Sequence, residues 1–224
     1  MSAATTAPAP TPAHRIIPSQ FPPIGLFDTV ATAADLQAVM ELAGWTNDRL
    51  VASRIARLPE AEWVYGRPNS SIVMAAFLHV APGGMRFNGP DLGAWYAAAS
   101  LTTAVVEVAH HLRREAVARG LPSMTRRYRQ YLSGLGGEYV DLRGAQSQMP
   151  DVYDPLSYAA GRVLGEGIRA SGGDGILFNS VRHAGGTNIV AYRPRKVVDV
   201  IQVEHYEIEV RAADSRIEAR RLGT

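Results

Sequence analysis

A mixed α+β fold is what this sequence predicts, and three observations carry the prediction. Strand-like and helix-like segments follow one another without the regular β-α-β beat of a doubly wound sheet. No G-x-G-x-x-G follows a strand and no G-x-x-x-x-G-K-[ST] occurs, so neither phosphate-binding fingerprint is present. The hydrophobic fraction is 46% over 224 residues, enough for the core of one domain. No internal repeat is visible.

The segments justify themselves in chain order. Residues 1–13 are rich in Ala, Thr and Pro and lack the basic start and apolar core of a secretory signal. They read as a disordered leader ahead of a single domain over 14–210. Arg15–Phe27 is apolar but broken by Pro18, Pro22 and Pro23, which leaves an extended entry strand or edge segment rather than a helix. Thr32 is placed to cap a helix over Ala33–Leu42, with Leu36, Val39 and Met40 on one face. A second helical piece over Asn47–Leu58 completes a small helical lobe at 32–58. Tyr65–Ser71 is loop by composition. Ile72–Val80 is apolar but for His79 and reads as a buried strand before the Pro82-Gly83-Gly84 break.

Ala94–Ala98 reads as a short strand. Ser100 is a natural N-cap for a helix whose Leu101, Ala104, Val105, Val108 and Leu112 share a face, and Gly120 and Pro122 end it. Met124–Leu132 is basic and ambiguous; Arg126–Arg129, like Arg113–Arg114, reads as a solvated helix face. Glu138–Leu142 is a strand. Asp154-Pro155 starts a helix with Leu156, Ala159, Ala160, Val163, Leu164 and Ile168 inside, stopped by Gly172-Gly173. Ile176–Asn179 and Asn188–Tyr192 are strands joined by SVRHAGG, a loop of hairpin composition. Val197–Val210 alternates as one or two strands, and 211–224 is a charged tail, helical or frayed.

Composition removes several functions. Formal net charge is +2 and pI about 9.0, without the clustered basic face of a nucleic-acid binder. The absence of cysteine excludes disulfides, thiolate catalysis and Cys-ligated zinc, and suits a cytoplasmic protein. No apolar run approaches the ~20 residues that span a bilayer. His110 and His111 are adjacent, so on a helix they point about 100° apart; with no H-E-x-x-H either, no metal site is expected. A serine hydrolase is disfavoured because G-x-S-x-G is missing.

The stretch Gly83–Arg114 carries the chemistry. Two glycines deliver Arg86, which is either a turn arginine or a bidentate grip on phosphate. Tyr96 lies in a short apolar run, where core packing is the default role. Glu107 sits among valines on the following helix. It is either a boundary glutamate paired to His111 at i+4, or a carboxylate that stabilises positive charge or acts as a base. Ser180 ends the ILFN strand, as many turn serines do, and Arg182 and His183 make its loop unusually polar.

The order Arg86, Tyr96, Glu107, Ser180 resembles the RES-domain family, the toxin components of bacterial RES–Xre toxin–antitoxin pairs, named for arginine, glutamate and serine. The blocks RIIPSQFPPIGLF, MAAFLH, RFNGPDLGAWYAA, TAVVEVAHHLRR, YDPLSYAAGRVLGEGIRASGGDGILFNSVRHAGG and NIVAYRPR carry the likeness over roughly residues 14 to 200. It implies an ADP-ribosyltransferase-like fold of mixed and antiparallel sheets with flanking helices, and NAD as substrate rather than cofactor. The implied activity is cleavage of the nicotinamide–ribose bond by hydrolysis or phosphorolysis. The alternatives are ADP-ribosyl transfer to a protein, or a non-catalytic part in a regulatory complex. By the resemblance Arg86 holds NAD phosphates or ribose, Tyr96 packs on the nicotinamide, and Glu107 bonds the ribose and stabilises an oxocarbenium-like transition state. Ser180 helps hold the nicotinamide–ribose end, and Arg15 is a weaker substrate-binding candidate. The implied partner is a helix-turn-helix, Xre-type antitoxin, with the toxin a homodimer in the larger complex. Two departures stand out: Gln20, where many relatives carry arginine, and the Asn-Gly-Pro wording of RFNGPDLG.

Overall fold

The computed structural model describes residues 5–20, 25, 27–32, 34–36, 38 and 55–223. Nine strands form one sheet: β1 Thr6–Pro8, β2 Ala13–Pro18, β3 Trp95–Ala98, β4 Ser123–Leu135, β5 Glu138–Asp141, β6 Gly175–Asn179, β7 Thr187–Ala191, β8 Val197–Arg211 and β9 Ile217–Leu222. Their order is β1-β5-β6-β7-β3-β2-β4-β8-β9. The β5–β6 pair is parallel and the other pairs are antiparallel. Among the described residues, three helices with given bounds pack against the sheet: α1 Ser70–Leu78, α2 Leu101–Ala118 and α3 Ala159–Ala170. The mixed α+β class is as the sequence predicts.

The short strands at 94–98, 138–142, 176–179 and 188–192 form within a residue or two of their expected bounds. Each is a compact apolar run between turn residues, which is the strongest local strand signal. Ser100 caps α2 as expected, its hydroxyl accepting the Thr103 N–H at 3.2 Å. Thr32 likewise accepts the Asp35 N–H at 3.1 Å. The expected helix at 33–42 is described only in part, and that at 47–58 only from residue 55, where Ile55 and Leu58 join the core; the rest of the lobe lies outside the described residues.

Six expectations are corrected. Residues 5–12 are not a disordered leader. Thr6–Pro8 pairs with Glu138–Val140, and Ala13 is wholly buried. Pro8 is tolerated because β1 is an edge strand, where a missing N–H leaves no ladder bond open. Ile72–Val80 is not a strand but most of α1. Nearly all its residues are buried, so no polar face marks the helical period. Its first-turn cap comes from far away, the Asp28 carboxylate accepting the N–H groups of Asn69 at 3.2 Å and Ser71 at 2.7 Å.

Arg126–Arg129 belongs to a strand, not a helix. Arg126 pairs with Glu115 of α2 at 2.9 Å on one face of β4, and Arg127 with Glu207 of β8 at 3.3 Å on the other. The charges obscure a two-residue period that only the neighbouring elements reveal. The expected helix at Asp154 begins five residues later. The Asp154 carboxylate instead closes a turn by accepting the N–H groups of Leu156 and Ser157. Leu156 and Val163 are not inside: they are 94% and 77% exposed. Finally, the charged tail forms β9, held to β8 by pairs such as Arg221–Glu204 at 2.6 Å. Arg113, read as a solvated arginine, grips the β8–β9 connection through the carbonyls of Arg211 and Arg216, both at 3.0 Å.

α3 packs through glycine. A Cβ at Gly165 would sit 2.1 Å from the Phe87 carbonyl and 2.6 Å from the Tyr192 hydroxyl, and one at Gly161 would sit 2.5 Å from the Arg86 carbonyl. Bare backbone on this face lets the Arg86–Phe87 segment lie against the helix. Gly165→Ala is expected to lower stability by about 1–3 kcal/mol through overpacking. Gly167→Ala on the open side of the same helix, where a Cβ meets nothing within 4 Å, is expected to raise it by up to about 1 kcal/mol. Urea unfolding of the two variants checks the pair.

His110 on α2 has its Nε2 buried without a hydrogen-bond partner among the described residues. Burial, reinforced by Arg182 and His111, pushes its imidazole down to about 4. An unfolded chain takes up this proton near pH 6.5. Between those values the unfolded state binds more protons, so stability falls as the pH drops through the window and is unaffected above it. The urea midpoint is expected to decline from about pH 6.5 to about pH 4, and less steeply in His110→Gln.

Candidate active site

β2 pairs with β4 along its whole length, and β3 pairs with β7 along its own. Between them, β2 and β3 share one bridge, His14 to Ala98. The sheet forks there, and a cavity of about 300 Å³ opens at the fork. Arg15 lines it from β2, Tyr96 from β3 and Glu107 from α2, with Arg86 and Arg182 from two loops. Glu107 is the sole acid among the described lining residues.

Glu107 is held by the β6–β7 hairpin. Its Oε1 accepts from the Ser180 hydroxyl at 2.7 Å and from the Asn188 amide Nδ2 at 2.6 Å. Its i+4 neighbour His111 makes no salt bridge with it. Burial lowers the His111 imidazole, with Glu107 pulling the other way. Ser180 does not line the cavity. Its oxygen accepts the N–H groups of Arg182 at 3.1 Å and His183 at 2.9 Å. A hydroxyl has two acceptor sites and one proton, so the proton is left for Glu107. The hairpin is fastened to the start of α2 by His183 Nδ1 and Thr103 Oγ1, 2.9 Å apart. A Cβ on Gly186 would come within 2.8 Å of that threonine oxygen, so the fastening needs glycine there.

Arg86 is 7% exposed. Its Nη1 donates to the carbonyls of Val152 at 2.8 Å and Asp154 at 2.9 Å, and its guanidinium lies 4.6 Å from the centroid of the Tyr158 ring. Burial lowers its pKa, with Tyr158 opposing and Arg182 adding to the shift. The remaining guanidinium N–H groups have no hydrogen bond to described residues. Tyr96 Oη donates to Asn88 Oδ1 at 2.8 Å and accepts the Phe87 N–H at 3.0 Å. The phenol thus ties down the segment that bears Arg86, and burial pushes its pKa up, keeping it neutral. Arg15 Nη1 donates to the Tyr96 carbonyl at 2.7 Å across the fork, and its guanidinium lies 4.6 Å from the Trp95 ring centroid. Burial pushes it down to about 10, still cationic at neutral pH.

The model of the RES domain matches residues 54–211. The chain belongs to the RES-domain family. A search of curated proteins found no match. Among solved structures, a chain of the M. tuberculosis MbcT–MbcA toxin–antitoxin complex is similar, with 15% identity, coverage of 94% of this chain and 90% of that one, and a TM-score of 0.49.

Arg86, Glu107 and Ser180, the three expected from the resemblance, lie differently toward the cavity. Arg86 and Glu107 reach the cavity; Ser180 acts on it through Glu107. Sequence reasoning passed over Asn188 and gave Arg182 no role in the site. Asn188 was legible only as a polar residue opening an apolar strand, and Arg182 as a polar member of a loop. Among the described residues no helix is long and apolar enough to cross a membrane.

Arg86 also has a structural duty that its burial makes testable. Arg86→Ala strands the Val152 and Asp154 carbonyls, which is expected to cost about 1–3 kcal/mol. Arg86→Lys keeps the charge but not the planar fork, and is expected to fall between. Urea midpoints equal to wild type in both variants would show that the guanidinium does not support the fold.

Proposed function

We propose that this RES domain is the toxin of a toxin–antitoxin pair and acts by cleaving the nicotinamide–ribose bond of NAD. The observation that carries the reading is Glu107, a single carboxylate held by two donors in a cavity otherwise charged by arginines. In NAD the nicotinamide is a cationic leaving group. When the C1′–N bond breaks, its electron pair neutralises the pyridinium ring, and positive charge develops on the ribose. A pre-oriented carboxylate lowers that barrier electrostatically, and a second acid is not required. Water then adds to C1′ and releases a proton, giving ADP-ribose; inorganic phosphate as the attacking group gives the phosphorylated sugar instead.

Arg86, whose remaining N–H groups have no partner among the described residues, and Arg182 supply positive charge for the pyrophosphate. Tyr96 offers a ring edge for nicotinamide, though its hydroxyl is already committed to Asn88 and Phe87. The family resemblance supplies NAD as the substrate, and it supplies the partner: a helix-turn-helix, Xre-type antitoxin acting on a toxin homodimer.

The test is purified protein incubated with NAD, with and without phosphate, following nicotinamide release and the sugar product. Wild-type protein is expected to release nicotinamide, and Glu107→Gln to do so about 10²–10³-fold more slowly while remaining folded. Absence of release by folded wild-type protein, or full turnover in Glu107→Gln, would sink the reading.

A further inference from the structure

We propose that Asn188 is a positioning residue for Glu107, fixing the carboxylate so that Oε2 is the oxygen presented to the substrate. The proposal rests on the NAD-cleaving reading for its chemistry, but its geometry stands on its own.

A glutamate on a helix surface has rotamer freedom that must be removed before its carboxylate is aimed. Glu107 has no ion pair on its own helix to remove it. The two donors that do so come from the sheet, and both fall on Oε1. Oε2 accepts no hydrogen bond among the described residues. Two donors on one oxygen fix the rotation of the carboxylate about its last bond and leave the other oxygen free for a ligand.

The two donors differ in rigidity. Ser180 sits in a turn, and its direction depends on the hairpin loop that follows. Asn188 sits inside the sheet, its backbone opposite Ala98 of β3 and Phe178 of β6. It is 6% exposed, and its successors Ile189 and Val190 are wholly buried. Its side chain therefore starts from a backbone that cannot move without disturbing three strands. A 2.6 Å contact between a buried amide N–H and a carboxylate is a charge-assisted bond of the stronger kind. Alternation along β7 puts Asn188 on the same face as Val190, whose β3 partner is the cavity residue Tyr96. The strand that backs the tyrosine thus also aims the acid.

An amide suits this task for a specific reason. A carboxyl group of the same shape can donate to Glu107 only while protonated; once ionised it repels Glu107. Asn188→Asp therefore converts a permanent donor into a titrating one. Its nicotinamide release is expected to approach that of wild type on the acid side and to fall away as pH rises, a dependence that a merely space-filling residue would not acquire. Asn188→Ala is expected to lower kcat about 10²-fold with little change in KM, the signature of a misplaced group rather than lost binding.

A second measurement needs no substrate. In protein labelled with 13C at the glutamate carboxyl carbon, the Glu107 signal is identified by its loss in Glu107→Gln. It is expected to shift and broaden in Asn188→Ala, in protein whose circular dichroism remains native. Asn188→Asp, which keeps the side-chain volume, is expected to move the same signal as pH rises and serves if the alanine variant does not fold. A Glu107 signal unmoved by both substitutions would overturn the proposal. So would unchanged kcat and pH profile in both variants of an enzyme that cleaves NAD. If wild-type protein releases no nicotinamide, the NAD reading fails, and the carboxyl signal alone decides whether Asn188 positions Glu107.

Discussion

A single β-bridge between His14 and Ala98 is what joins the two halves of the sheet. Full pairing of β2 with β3 would draw their side chains to within about 5 Å and close the space between them. One bridge keeps the halves in register and lets them part. Arg15 then spans the gap with a hydrogen bond to the Tyr96 carbonyl, so the fork is braced rather than loose. Helix α2 packs across β2, β3, β4 and β8, and this places Glu107 at the opening. The cavity follows from incomplete strand pairing, not from a gap in the core.

Around that opening the charges are divided by how they are held. Arg86 is tied to carbonyls, Arg15 to a carbonyl and an indole face, and Arg182 to the Pro155 carbonyl at 2.6 Å. None of the three has a carboxylate partner among the described residues. Their charge is steered by neutral groups and so is not cancelled before a ligand arrives. Glu107 is treated in the same way from the opposite side, with two neutral donors and no cation bonded to it among the described residues. A site built thus keeps both signs of charge available within one small volume, where the low local dielectric strengthens them.

How much of this was legible in the sequence depends on where the determining contacts lie. α2, β3, β6 and β7 carry their signals locally, in caps, periodicity and turn residues, and they form close to where expected. α1 could not be read because its cap is the carboxylate of Asp28, some forty residues away, and because burial on all sides erases the helical period. β4 and β9 were masked by arginines whose partners, Glu115, Glu207 and Glu204, belong to other elements. At the site, Arg86, Tyr96, Glu107 and Arg15 could be named from residue types and family likeness. That Ser180 serves Glu107 instead of lining the cavity could not, because it depends on two backbone N–H groups claiming the hydroxyl oxygen. Asn188 was hidden for the simplest reason: a lone asparagine in a strand has no local pattern.

The sheet order carries a consequence for synthesis. The wall bearing Arg15 is built from the N-terminal β2, which lies between β3 and β4, while β4 is held along nearly its whole length by the late strand β8. The opposite wall needs β7 beside β3. A chain still emerging from the ribosome therefore has the arginines and the glutamate but nothing to hold them apart at working distance. The fork therefore depends on pairings that draw on strands from the early β2 to the late β7 and β8, so the site is a product of nearly the whole described chain.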